Sequence, residues 1–157
     1  MHRRDILTSG LAAGTVAALV NARPAAAQPR KSVTIHAKDG TRLFHRDWGE
    51  GQPVVFASSW ALSSEMWAYQ VAHLSERGFR CIAFDRRGHG RSDIPGKGYD
   101  MDTLADDVAA VIDALGLRDV ILVGHSMGGA EVVRYMGRHG TAKVKKAALV
   151  AAVAPYV

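Results

Sequence analysis

From residue 28 onward, apolar and polar positions alternate between the short period of strands and the longer period of helices. Val33 to Ala37 and Arg42 to Trp48 read as strands, and the Asp-Gly of Lys38-Asp39-Gly40 is a hairpin turn signal between them. Gly49-Glu50-Gly51-Gln52 turns the chain into a short apolar strand, Pro53 to Ala57. Ser64 to Glu76 carries Trp67, Val71 and Leu74 at helical spacing, with Gly78 as its stop, and Phe79 to Phe84 is the next strand. After a loop rich in Gly, Arg and Pro, Asp102 or Thr103 is predicted to cap a helix with Leu104, Val108, Val111, Ile112 and Leu115 on one face, ended by Gly116. Val120 to Val123 reads as a strand, Met127 to His139 as a helix ended by Gly140, and Val144 to Val153 as a last strand. Strands alternating with helices predict the α/β class, with a mostly parallel sheet and helices on both faces.

The chemistry concentrates at Gly124-His125-Ser126-Met127-Gly128, directly after a strand pattern and directly before a helical one. A serine on so sharp a turn needs strained backbone angles and neighbours without bulk two residues away, and glycine stands at both positions. Such a turn aims the hydroxyl at the carboxyl ends of parallel strands, where open α/β folds place their sites. It also sets the Met127 N–H at a helix N-terminus, where a free donor and the helix dipole favour a developing oxyanion. Ser126 is therefore the candidate nucleophile and Met127 a candidate oxyanion donor. A second donor is expected from Ser58-Ser59-Trp60-Ala61-Leu62, the loop after the third strand, with the Trp60 N–H as the candidate. His125 neighbours Ser126 in sequence, but side chains one apart on such a turn diverge, so it is read as packing. His89, in a loop near the site, is read as a brace.

Composition narrows the partners. With 48% apolar and 22% charged residues the 157-residue chain is globular, with room for one domain. Beyond residue 27 there are seventeen basic and fourteen acidic residues, a net charge of about +3 with no basic stripe, which argues against nucleic acid. Cys81 is the only cysteine, so no internal disulfide forms, and no histidines pair at metal-ligand spacing.

Residues 1–27 read as an export signal: Met1-His2-Arg3-Arg4, an apolar stretch from Ile6 to Val20, and a small-residue cleavage site at Ala25-Ala26-Ala27. The apolar stretch is shorter than the roughly 20 residues that span a bilayer, so cleavage is favoured over a stable membrane anchor. Arg3-Arg4 followed by Asp5, Ile6 and Leu7 favours the twin-arginine route over the general secretory one, with His2 standing where a serine or threonine is usual. The mature chain is expected outside the cytoplasm, periplasmic or extracellular.

Taken together, these residues resemble the α/β-hydrolase superfamily, and most closely its cofactor-free haloperoxidase and arylesterase branch, the non-haem chloroperoxidases. The resemblance is carried by Asp85-Arg86-Arg87-Gly88-His89-Gly90-Arg91-Ser92, by Met101-Asp102-Thr103, by the Gly-His-Ser-Met-Gly-Gly turn with Glu131, and by Arg138-His139-Gly140-Thr141-Ala142. It implies a Ser–His–Asp triad with Ser126 as nucleophile, Trp60 and Met127 as oxyanion donors, and neither metal, haem nor other cofactor. It implies small esters as substrates, or small carboxylic acids that peroxide converts to peracids. Two departures stand out. Ser58-Ser59 replace a His-Gly before the tryptophan, and Ser59 lacks the backbone freedom of glycine. The family's acid and histidine follow the serine in chain order, but no histidine follows His139 and no acid follows Glu131. The chain is thus expected to be the N-terminal half of such an enzyme, inactive alone and prone to self-association along its last strand. A split enzyme completed by a partner chain, or a non-catalytic interaction module, are the alternatives.

Overall fold

The computed structural model describes residues 32–154; the expected export signal, residues 1–27, lies outside them. Six strands, β1 (Thr34–His36), β2 (Arg42–Trp48), β3 (Gln52–Ala57), β4 (Phe79–Phe84), β5 (Val120–His125) and β6 (Val144–Val150), form one sheet in the order β1-β2-β4-β3-β5-β6. The opening hairpin and its junction with β4 are antiparallel. The pairs β3–β4, β3–β5 and β5–β6 are parallel. The helices are α1 (Ala68–Ser75), α2 (Met101–Ala114) and α3 (Met127–His139).

Side-chain alternation along the parallel strands explains why helices cover both faces. On one face Val55, Ala57, Ile82, Phe84, Val120 and Leu122 pack with Ala105, Val108, Val111 and Ile112 of α2 and Val132 and Tyr135 of α3. On the other, Val54, Phe56, Cys81 and Ala83 pack with Trp67 and Val71. Each such fully buried Val or Ile contributes roughly 1.5–3 kcal/mol. The cover is uneven, since Ile121 and Val123 of β5 are only partly buried and β6 is exposed from Lys145 onward.

Several sequence-based boundaries shift, β5 running on to His125 among them. The predicted helix from Ser64 to Glu76 divides into a 3₁₀ turn, Ser64–Trp67, and α1. The cap of α2 is Asp100, whose side chain accepts from the Thr103 N–H, so Asp102 and Thr103 lie inside the first turn. The last strand ends at Val150 rather than Val153, because Ala151 takes a φ of 44° that no extended strand accommodates.

The order β4-β3-β5 makes β3 a switch point: the chain leaves it for β4 on one side and later β5 on the other. Ala57 pairs in register with Gly124, so the loops after β3 and β5 leave the sheet side by side. Open α/β sheets bind their ligands in that crevice.

Candidate active site

Ser126 sits between β5 and α3 with φ 53° and ψ −120°, a conformation costly for any residue with a Cβ. The glycines around it are fixed by close approach. A Cβ on Gly124 would strike the Gly128 carbonyl, and one on Gly128 would strike the carbonyl oxygens of Ala57 and Ser58. A Cβ on Gly129 would strike Ala152. The Ser126 N–H donates to Val150 O at 3.0 Å, and Ser126 O accepts from the amides of Gly129 at 3.0 Å and Val153 at 3.1 Å. The turn is therefore strained but held by backbone bonds from three sides. Met127 opens α3, where its N–H has no acceptor within the helix.

The loop Ser58-Ser59-Trp60-Ala61-Leu62 lies against the start of α3, as the Gly128 approach to Ala57 and Ser58 requires. Ser59 is not among the residues with positive φ; Ala61 takes that role instead, with a φ of 60°. The Trp60 ring is 57% exposed and edge-on to His89 at 5.1 Å. The structure thus brings Ser126, Met127 and the Trp60 loop to one end of the sheet.

His89 is occupied. Its Nε2 accepts from the Ala61 N–H at 3.1 Å and its Nδ1 meets Arg87 O at 3.0 Å, so both ring nitrogens are engaged. His125 turns to the other face of the sheet, edge-on to Trp67 at 6.5 Å, and its Nδ1 is buried without a partner among the described residues. His139 sits at the far end of α3, stacked on Tyr135 at 5.3 Å and 2.7 Å from Asp106 Oδ1. Burial pushes the Cys81 thiol up to about 11, so it behaves as an inert apolar side chain.

Sequence reasoning assigned no role to the buried charged residues Arg86, Glu131, Asp85 and Arg87. Arg86 and Glu131, 2% and 1% exposed, form an ion pair, and Arg86 also donates to Ser58 O at 2.6 Å and Ser59 O at 3.2 Å. Desolvation pushes Glu131 up to about 7 against the pull of Arg86. Asp85 accepts from the Ser64 amide at 2.6 Å and the Arg91 amide at 2.8 Å. Arg87 forks onto Asp107 at 2.6 and 2.7 Å and reaches Asp39 at 2.8 Å. A signal was available: Glu131 falls on the same helical stripe as Val132 and Tyr135, and an acid there must find a buried partner.

A sequence profile described as the alpha/beta hydrolase fold matches residues 52–156. The chain belongs to the α/β-hydrolase fold family. It is 55% identical over 121 residues to a non-heme haloperoxidase of Rhodococcus erythropolis, covering 77% of this chain and 44% of that protein. To a bifunctional esterase/perhydrolase of Acinetobacter calcoaceticus it is 47% identical over 123 residues, covering 77% and 45%. Among solved structures, an esterase from Exiguobacterium antarcticum superposes with a TM-score of 0.76 at 43% identity, over 78% of this chain and 46% of that one. This α/β hydrolase chain therefore spans less than half the length of the curated relatives it matches.

Proposed function

We propose that Ser126 is the nucleophile of a carboxylic-ester hydrolase able to use peroxide in place of water. The observation that carries this is the strained Ser126 backbone between a strand end and a helix start, in a turn packed so closely that a Cβ added at Gly124, Gly128 or Gly129 would clash with its neighbours. A plain connection between β5 and α3 needs no such strain; a hydroxyl presented to a substrate does. In the reaction an imidazole base takes the Ser126 proton, Oγ bonds to the substrate carbonyl carbon, and the alkoxide leaves with that proton. Water then releases the carboxylic acid, or hydrogen peroxide releases the peracid. The N–H groups of Met127 and Trp60 receive the oxyanion of each tetrahedral intermediate. Neither metal nor cofactor enters this chemistry.

Among the described residues no histidine is hydrogen-bonded to the Ser126 hydroxyl. Both His89 nitrogens are engaged, and His125 and His139 lie elsewhere. In this reading activity belongs to a form in which a histidine and an acid, from elsewhere in the protein or from a partner chain, stand against Ser126. Substrates are small esters or carboxylic acids, a reading supported by the esterase and haloperoxidase names of the relatives. Export ahead of function is read from Arg3, Arg4 and the Ala25-Ala26-Ala27 site.

A fluorophosphonate probe followed by peptide mass spectrometry tests the nucleophile. The chain should be modified at Ser126, slowly for want of a base, and Ser126→Ala should carry no label. Label retained in that variant would overturn the assignment.

A further inference from the structure

The two sides of the site belong to separate parts of the chain, the Ser58–Leu62 loop after β3 and the turn into α3. One buried guanidinium touches the first and is tied to the second. Arg86 donates through Nη2 to Ser58 O at 2.6 Å and through Nη1 to Ser59 O at 3.2 Å, while its Nε donates to the Glu131 carboxylate on α3. Burying such a pair carries a desolvation cost that its own attraction often fails to offset, and apolar side chains of similar size would pack there without it. Stability alone is therefore a weak account of its presence.

The planar peptide supplies a better one. The Ser59 carbonyl and the Trp60 N–H belong to the same trans peptide unit, so they point in opposite directions. Whatever fixes the direction of Ser59 O fixes the direction of the Trp60 N–H. Arg86 draws Ser59 O toward the protein interior, and the Leu62 N–H at 3.4 Å completes the hold. The chain has serine where glycine would leave this peptide freer, and the left-handed residue of the loop is Ala61, with a φ of 60°. Glu131 anchors the guanidinium to the helix whose first residue is Met127.

We propose that Arg86, clamped by Glu131, is the positioning residue that aims the Trp60 N–H and registers it against the Met127 N–H. This rests on the reading of those two groups as oxyanion donors, and it assigns the Arg86–Glu131 pair a role in orientation rather than in contact with substrate.

The test compares Arg86→Lys, Glu131→Gln and Arg87→Lys in the full 157-residue chain. Lysine keeps the charge but cannot reach two carbonyls and a carboxylate at once. Arg87 is equally buried and paired, with Asp107, and does not touch the loop, so it reports on stability alone. The 15N order parameter of the Trp60 amide is read by NMR, with fluorophosphonate labelling of Ser126 as the second readout. Arg86→Lys should lower the Trp60 order parameter from the roughly 0.85 of a rigid backbone to below about 0.6, with core amides unchanged, and slow labelling by about ten- to a hundredfold. Glu131→Gln, which retains an acceptor, should fall between it and the unaltered chain, while Arg87→Lys should change neither readout beyond its shared loss of stability. A Trp60 amide no more mobile in Arg86→Lys than in Arg87→Lys would overturn the inference. So would a freed Trp60 with undiminished labelling, which would leave Ser126 as nucleophile and remove Trp60 as donor. Failure of the unaltered chain to label at Ser126 overturns the functional reading instead, and the order parameters separate the two.

Discussion

The Ser126 N–H donates to Val150 O at 3.0 Å, and the Ser126 carbonyl accepts from the Val153 N–H at 3.1 Å, so the turn that carries the hydroxyl and the end of β6 form one hydrogen-bonded unit. Ala152, between those two contacts, lies where a Cβ on Gly129 would have to go. Gly129→Ala should therefore cost about 1–3 kcal/mol, the usual penalty for overpacking. Ala152→Gly in the same chain should restore at least half of it. Urea unfolding of the two single variants and the double variant measures the coupling, and strictly additive losses would show that Gly129 and Ala152 do not meet.

The strain at Ser126 is a second measurable quantity. Its φ of 53° and ψ of −120° cost roughly 1–3 kcal/mol for a residue with a Cβ. Glycine removes that cost but adds about 0.4–1 kcal/mol of unfolded-state entropy. Ser126→Gly should thus be more stable than the unaltered chain by about 1 kcal/mol while losing all probe labelling. A destabilised Ser126→Gly would mean that the turn is relaxed and that the hydroxyl is held there for packing.

Glu131 gives the fold a pH dependence of unusual sign. Burial raises its carboxyl from 4.5 to about 7, opposed by Arg86 and assisted by the nearby charge of Asp107. Between those values the folded state binds more protons than the unfolded one, so stability is fullest at the acid end and declines as pH rises through 7. Stability should therefore fall as pH rises from 5 to 8. Urea midpoints across that range, for the unaltered chain and Glu131→Gln, test it. The glutamine variant should show the flatter profile, and equal slopes would remove Glu131 as the cause.

Export through paired arginines makes the simplest cellular prediction. Replacing Arg3 and Arg4 by lysine should leave the protein in the cytoplasm with its leader uncleaved, read by fractionation and intact mass. Unchanged export of that variant would favour the general secretory route.

Much of the fold was legible because it rests on local rules. Alternation in Pro53 to Ala57 and Phe79 to Phe84, helical spacing in the Leu104 to Leu115 stripe, and glycines flanking Ser126 each state their structure within a few residues. The elements missed or misplaced depend on partners distant in sequence. Asp100 rather than Asp102 caps α2, a choice between neighbouring acids that only the chain's entry angle decides. Arg86 looks like a loop cation until its carbonyl partners, 27 and 28 residues away, are known. His89 was legible as a brace, though its bond to the Ala61 amide could not be read from spacing.

The edge of the sheet makes the last prediction. Among the described residues β6 pairs only with β5, so its other side presents free backbone donors and acceptors. Leu149 and Val150 are each 47% exposed, and from Ala147 to Val150 the strand carries no charge. Proteins normally blunt such an edge with lysine, proline or a bulge. Here those devices sit only at the start, where Lys145 is skipped in the pairing with β5 and bonds Gln52 at 2.7 Å, and Lys146 follows. If a second copy pairs there, charge selects its direction. Parallel pairing would set the lysines of two copies side by side, whereas antiparallel pairing centred on Ala148 sets Lys146 opposite Val150 and keeps the cations apart. The full chain should therefore run as a dimer or larger species in size-exclusion chromatography with light scattering. Ala148→Lys places two cations directly opposite each other at the centre of that pairing and should return a monomer without loss of helical or sheet content by circular dichroism. If the unaltered chain is a monodisperse monomer at its highest soluble concentration, or if Ala148→Lys associates as strongly, β6 is not the surface through which copies meet.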